Sequence, residues 1–146
     1  EAVREKLLLA VVHSEMSSRE ERKDYSERLG VPVLDEYSSE EMTRIALELP
    51  CGHYHVSEDS VRLDVIDPNT QKPIDQGTGL IISTNLLNFA MPFIRYEQGD
   101  YITVSEQKAC PIHWKQIEKV EGRKNDSFIK KDGLEIPAGT ILDITY

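Results

Sequence analysis

Gly99-Asp100 closes the run Ala90-Met91-Pro92-Phe93-Ile94-Arg95-Tyr96-Glu97-Gln98, so an apolar, strand-like stretch ends on a fixed acid. A glycine there lets the backbone come close to a ligand, and the carboxylate can accept two hydrogen bonds from a vicinal diol such as a ribose. Gly-Asp is also an ordinary turn. About 20 residues further on, Glu121-Gly122-Arg123 offers a guanidinium, whose planar fork of donors serves ribose or phosphate oxygens better than a lysine would. The bland alternative pairs Arg123 with Asp100 or leaves it on the surface. Upstream lies Asp35-Glu36-Tyr37-Ser38-Ser39-Glu40-Glu41. Tyr37 there can lie against a purine face with its hydroxyl wet, or simply pack at a strand end. Glu41 suits a hard cation such as Mg²⁺, and equally suits the first turn of a helix.

Cys51, His53, His55, Cys110 and His113 form a second group of chemically capable residues. Cys51 with His53, and Cys110 with His113, make two close pairs that could combine into a tetrahedral Cys₂His₂ zinc site. Free thiols and surface imidazoles are the alternative.

These residues need elements to hold them. Leu7 to Val12 is a continuous apolar run, expected to be a buried parallel strand. Ser17, with Glu20 three positions later, predicts a helix start, and Gly30 a stop after Leu29. Val31-Pro32-Val33-Leu34 reads as the next strand, with proline at its beginning. Strand, helix and strand then deliver a Tyr37 loop at the carboxyl end of a strand, where open α/β sheets bind ligands. A second helix is expected from Ser39, with Ile45, Ala46 and Leu49 on one face and Pro50 ending it. After Gly52 the pattern changes to short alternating segments at 53–56, 61–66, 79–84, 94–96 and 101–104. Turns at Asp67-Pro68-Asn69-Thr70 and Asp75-Gln76-Gly77-Thr78-Gly79 separate them. Phe128 to Ile136 predicts a hairpin turning at Asp132-Gly133. The expected fold is α/β followed by mainly β: part of a parallel α/β sheet, then a distorted antiparallel barrel, ending in the hairpin.

The chain has 146 residues, 39% of them hydrophobic and 29% charged, ordinary values for one globular domain. Its net charge of −9 disfavours nucleic acid or an anionic membrane surface as a partner. It leaves room for ATP, because a local Mg²⁺ and one arginine override the global field. Two cysteines make no disulfide framework, and no run has membrane-spanning length, so the expected location is cytoplasmic.

Taken in order, the Tyr37-Ser38-Ser39-x-Glu41 loop, the Gly77-Thr78-Gly79-Leu80-Ile81-Ile82-Ser83-Thr84 strand, the Ala90 to Tyr96 run with Asp100, and Glu121-Gly122-Arg123 resemble consecutive nucleotide-site motifs of the acyl-adenylate-forming (AMP-binding) superfamily. The likeness is to its phenylacetate-coenzyme A ligase and capsular-polysaccharide (CapK-like) branch, and runs from about Leu7 to Ile136. The resemblance implies an ATP-dependent acid-activating ligase. Such an enzyme turns a carboxylic acid into an acyl-adenylate with release of pyrophosphate, then passes the acyl group to coenzyme A or another acceptor.

By that resemblance Tyr37 and Ser38 flank the adenine, Asp100 holds the ribose, Arg123 binds ribose or phosphate, and Glu41 ligates Mg²⁺. Asn125 stands at a hinge, in a position where relatives usually carry Asp. Ser38 replaces a common Gly, and Glu40 a common Ser or Thr. Relatives with a Cys-x-Cys-Gly sequence before the hinge suggest zinc, but Lys108 breaks that pattern here. The implied division is 1–52 for the α/β part of the nucleotide-binding domain, 53–121 for the barrel-like part, and 122–146 for the hinge and the start of a small domain. Neither the phosphate loop nor the terminal lysine of the family is found, so an inactive fragment is expected, with the rest of the same polypeptide and a small carboxylic acid as partners. The alternative is a non-catalytic nucleotide-binding or interaction module of the same fold.

Overall fold

Ser18 opens the one helix among the described residues, which are 6–106, 110–124 and 128–136 of a computed structural model. In α1 (Arg19–Leu29) the Ser18 side chain accepts from the Glu21 N–H, and the Glu21 carboxylate accepts from the Ser18 N–H. This reciprocal capping box lies one residue later than the expected Ser17 and Glu20. Gly30, at φ 75°, ends the helix as expected, its N–H donating to the Ser26 carbonyl. The helix joins two parallel strands, β1 (Ala10–His13) and β2 (Val33–Ser39). β1 forms the sheet edge, and Leu8, Leu9 and Val11 are exposed, so the apolar run does not make the fully buried strand expected of it.

The helix expected from Ser39 is instead a hairpin. β3 (Thr43–Glu48) folds back antiparallel on β2 around the turn Glu40-Glu41-Met42. Ser39 does what a helix cap would do, its hydroxyl accepting from the Met42 N–H, but the chain then reverses. Thr43 follows at φ 61°, a costly conformation for a β-branched residue that turns the strand back. Met42, Ile45 and Ala46 are wholly buried, and the hairpin buries them against the core as a helix face would have done. β4 (Tyr54–Val56) and β8 (Gln116–Ile117) complete a mixed sheet in the order β1-β2-β3-β4-β8.

The second sheet is antiparallel, in the order β5-β6-β7-β9, with β5 (Val61–Ile66), β6 (Gly77–Asn85), β7 (Tyr96–Val104) and β9 (Lys119–Arg123). Val61, Leu63, Val65, Ile81, Ile102 and Val104 meet Met42, Ile45, Tyr54 and Val56 in one core between the sheets. Ile66, Leu80, Ile82 and Tyr101 form a smaller cluster of their own. Gly79, expected where the turn passes into the strand, lies inside β6, where a Cβ would come within 2.6 Å of the Ile66 carbonyl oxygen. The Asp67 turn holds, with the Asp67 carboxylate accepting from the Asn69 and Thr70 N–H groups. Among the described residues the architecture is therefore mostly β, with a five-stranded mixed sheet, a four-stranded antiparallel sheet, one parallel strand pair and one helix, where part of a parallel α/β sheet and a distorted antiparallel barrel were expected. The expected terminal hairpin is present as β10 (Phe128–Ile129) against β11 (Glu135–Ile136), with Gly133 at φ 87° in its turn.

Candidate functional site

Three irregularities in strand pairing converge on one cleft. Between Leu80 and Ile82 on β6, their partners on β7 are Tyr101 and Glu97, so β7 carries extra residues, Gly99 among them at φ 80°. Between Tyr101 and Ile102, the β9 partners jump from Gly122 to Val120, with Gly122 at φ 102°. The β2–β3 ladder shifts between Tyr37 and Ser38. Bulges bend strands and re-aim side chains. Here they put Asp100 opposite Arg123 in the ladder and bring Tyr37 over from the other sheet. The glycine before the acid thus serves as a left-handed bulge residue, which only glycine adopts at little cost.

The Tyr37 hydroxyl donates to Asp100 Oδ2 at 2.5 Å, and Arg123 Nε lies 3.8 Å from Asp100 Oδ1. Desolvation, then the charge of Asp100 and the hydrogen bond to it, raise the Tyr37 phenol well above its ordinary pKa, so it stays a donor. Tyr37, Ser38, Asp100 and Arg123 line a cleft of about 600 Å³ together with Ser14, Met16, Asp35 and Tyr54. That volume is in the range of small-molecule sites. The run before Gly99 is not the expected strand: β7 begins at Tyr96, and Met91 and Ile94 are exposed. Asn85 and Asn88 side chains accept from the N–H groups of Leu87, Asn88 and Met91, which turns the segment into a loop.

Beneath the cleft lies a cluster that reading the sequence did not find. Arg22, 4% exposed, binds the Glu48 carboxylate through both Nε (2.8 Å) and Nη2 (3.0 Å). Asp35 accepts from the Tyr54 hydroxyl at 2.5 Å and lies 3.8 Å from Arg22. Burial outweighs these contacts and raises the Asp35 pKa above the ordinary value. No spacing flagged this cluster. Its one available sign was the shortage of apolar residues in α1, whose buried residue is Arg22 itself.

Glu41 sits in the β2–β3 turn and is not among the residues lining the cleft. Its own backbone N–H, then the Tyr96 hydroxyl donating to Oε1 at 2.9 Å, and less strongly Arg123, lower its pKa. These contacts favour the ionised carboxylate. Asn125 lies outside the described residues.

Of the expected zinc ligands, Cys51 and Cys110 come together, but with His55 and not with His53 or His113. One ligand atom from each of Cys51, His55 and Cys110 lies within 4.8 Å of the others. All three residues of β4 are buried, and His55, paired with Leu47, is 2% exposed. His53 precedes β4, in the turn, and no spacing in the sequence separates it from His55, since residues two apart in a strand share a face.

No protein-family model matches the chain. It is 29% identical over 129 residues to phenylacetate-coenzyme A ligase of Pseudomonas putida, covering 85% of this chain and 29% of that protein. To the Thermus thermophilus phenylacetate-coenzyme A ligase it is 30% identical over 127 residues, covering 82% and 28%. A solved 2-hydroxyisobutyryl-CoA ligase, in an open conformation with 2-HIB-AMP and CoA, superposes with a TM-score of 0.74 at 21% identity, covering 91% of this chain and 33% of that one. The fold is that of part of an acyl-coenzyme A ligase. The sequence likeness supports placing the chain with the acyl-adenylate-forming, AMP-binding superfamily, and it spans under a third of the length of the curated relatives it matches.

Proposed function

We propose that this chain is the central and hinge portion of an AMP-forming acid-activating ligase, in the phenylacetate-coenzyme A ligase and CapK-like branch. The observation that carries the reading is the convergence of Tyr37, Asp100 and Arg123 on one cleft from two sheets. A ribose there would share Asp100, whose carboxylate orients the sugar and so sets the α-phosphate in line for attack by a carboxylic acid. Arg123, its side chain 77% exposed, has room to turn toward phosphate oxygens. The Tyr37 ring lies where a purine could stack. Glu41, ionised by its turn, is the proposed Mg²⁺ ligand, a cation that would offset charge on the phosphate oxygens. A small carboxylic acid is the proposed substrate, and coenzyme A or another nucleophile the acyl acceptor.

AMP binding measured by calorimetry tests the reading. Asp100→Ala should weaken binding about tenfold or more, the worth of a hydrogen bond to a charged group. Unchanged affinity in a folded variant would remove Asp100 from the ribose role. One observation favours a second reading, a nucleotide-free interaction module: Asp100 already has Tyr37 and Arg123 as partners. That reading requires that the chain, assembled with the rest of its polypeptide, bind neither AMP nor ATP.

A further inference from the structure

Cys51 lies in the β3–β4 turn, His55 on β4 and Cys110 in the connection between β7 and β8. Cys51 and His55 are 4 residues apart and Cys110 lies 55 residues beyond His55, yet Cys51 Sγ is 3.3 Å and Cys110 Sγ 3.4 Å from the same imidazole nitrogen, His55 Nε2. A tetrahedral zinc with its sulfurs at about 2.3 Å and its nitrogen at about 2.0 Å holds neighbouring ligand atoms about 3.5 to 4 Å apart. The cluster already has nearly that spacing. His55 Nδ1 is buried without a hydrogen-bond partner among the described residues, so the polar contacts that aim the ring are those of Nε2 with the two sulfurs.

We infer that Cys51, His55 and Cys110 bind one zinc-class cation, with water in the fourth position. Two thiolates and an imidazole select a soft or borderline metal over Mg²⁺ or Ca²⁺. Cys51 faces solvent, which supplies the water. The metal clips the β3–β4 turn to the connection that leads through β8 into β9, the strand carrying Arg123. Its work is structural, independent of whether the cleft binds a nucleotide.

The test is elemental analysis of the purified chain, with Co²⁺ substitution read by absorbance. About one zinc per chain is expected, and a cobalt form with sulfur-to-cobalt charge-transfer absorption. Cys51→Ser, at an exposed position, should lose the metal and the absorption while keeping the circular dichroism of the parent. Cys110→Ser and His55→Gln should lose them as well, and His53→Gln and His113→Gln should keep both. A chelator should lower the Tm of the parent and leave that of Cys51→Ser unchanged. No zinc after reconstitution under reducing conditions, equal zinc in the parent and Cys51→Ser, or loss of zinc in His53→Gln or His113→Gln would each overturn the assignment.

Discussion

Two charged clusters sit within a few residues of one another along β2 and differ in almost every physical respect. Asp35 belongs to a buried set in which Arg22 and Glu48 are both nearly out of contact with water. Tyr37, two residues on, reaches Asp100, whose other neighbour, Arg123, is 77% exposed. A buried pair gains from low dielectric but is ruinous to break, because the orphaned charge stays buried. An exposed pair is screened and adds little to stability. The first cluster therefore acts as scaffold for the floor of the cleft, and the second holds its guanidinium in water, where exchanging one partner for a ligand costs little.

Substitutions can break this contrast. Arg22→Ala should cost about 3 to 5 kcal/mol in urea denaturation, since it strands Glu48 and Asp35. Asp100→Ala should cost about 1 to 3 kcal/mol, through the unpaired Tyr37 hydroxyl, and Tyr37→Phe in the same chain should return part of it. Arg123→Ala should stay within about 0.5 kcal/mol of the parent while weakening AMP binding. An Arg123→Ala loss as large as that of Arg22→Ala would erase the distinction between the clusters.

The subtlest effect is in titration. The pKa of Glu41 is lowered, so its contribution to stability is present above the ordinary carboxylate pKa and lost as pH falls through the depressed value. Tyr96→Phe removes one of the hydrogen bonds responsible, and the Glu41 carboxyl should then titrate nearer its ordinary range, as ¹³C NMR of the side chain can follow. An unmoved titration would place the cause in the turn backbone, the Ser39 hydroxyl and Arg123.

Much of the order of elements was legible before the structure. Gly30 stopped the helix, Asp67 made its turn and Asp132-Gly133 its hairpin, because each depends on a few adjacent residues. The segment after Ser39 was not, since Met42, Ile45, Ala46 and Leu49 fit a helical stripe and a hairpin alike. What decides between them is Val56 and its neighbours on β4, waiting to pair with β3. Local spacing contains no record of that partner. For the cleft, Tyr37, Asp100 and Arg123 could be singled out by chemistry. The Arg22, Glu48, Asp35 and Tyr54 set could not, because isolated charged residues on a polar helix look like solvated surface.

From the sequence alone came the inventory: an acid behind a glycine, a guanidinium, an aromatic, two thiols and the turns between them. Only the tertiary structure decided which of them meet. Bulges at Gly99 and Gly122 rotate Asp100 toward Arg123, and the folding of the Cys110 segment onto β4 sets His55, not His53, against two sulfurs. Register and bulge position depend on pairing between residues far apart in the chain, where a slip of one position turns every side chain to the opposite face.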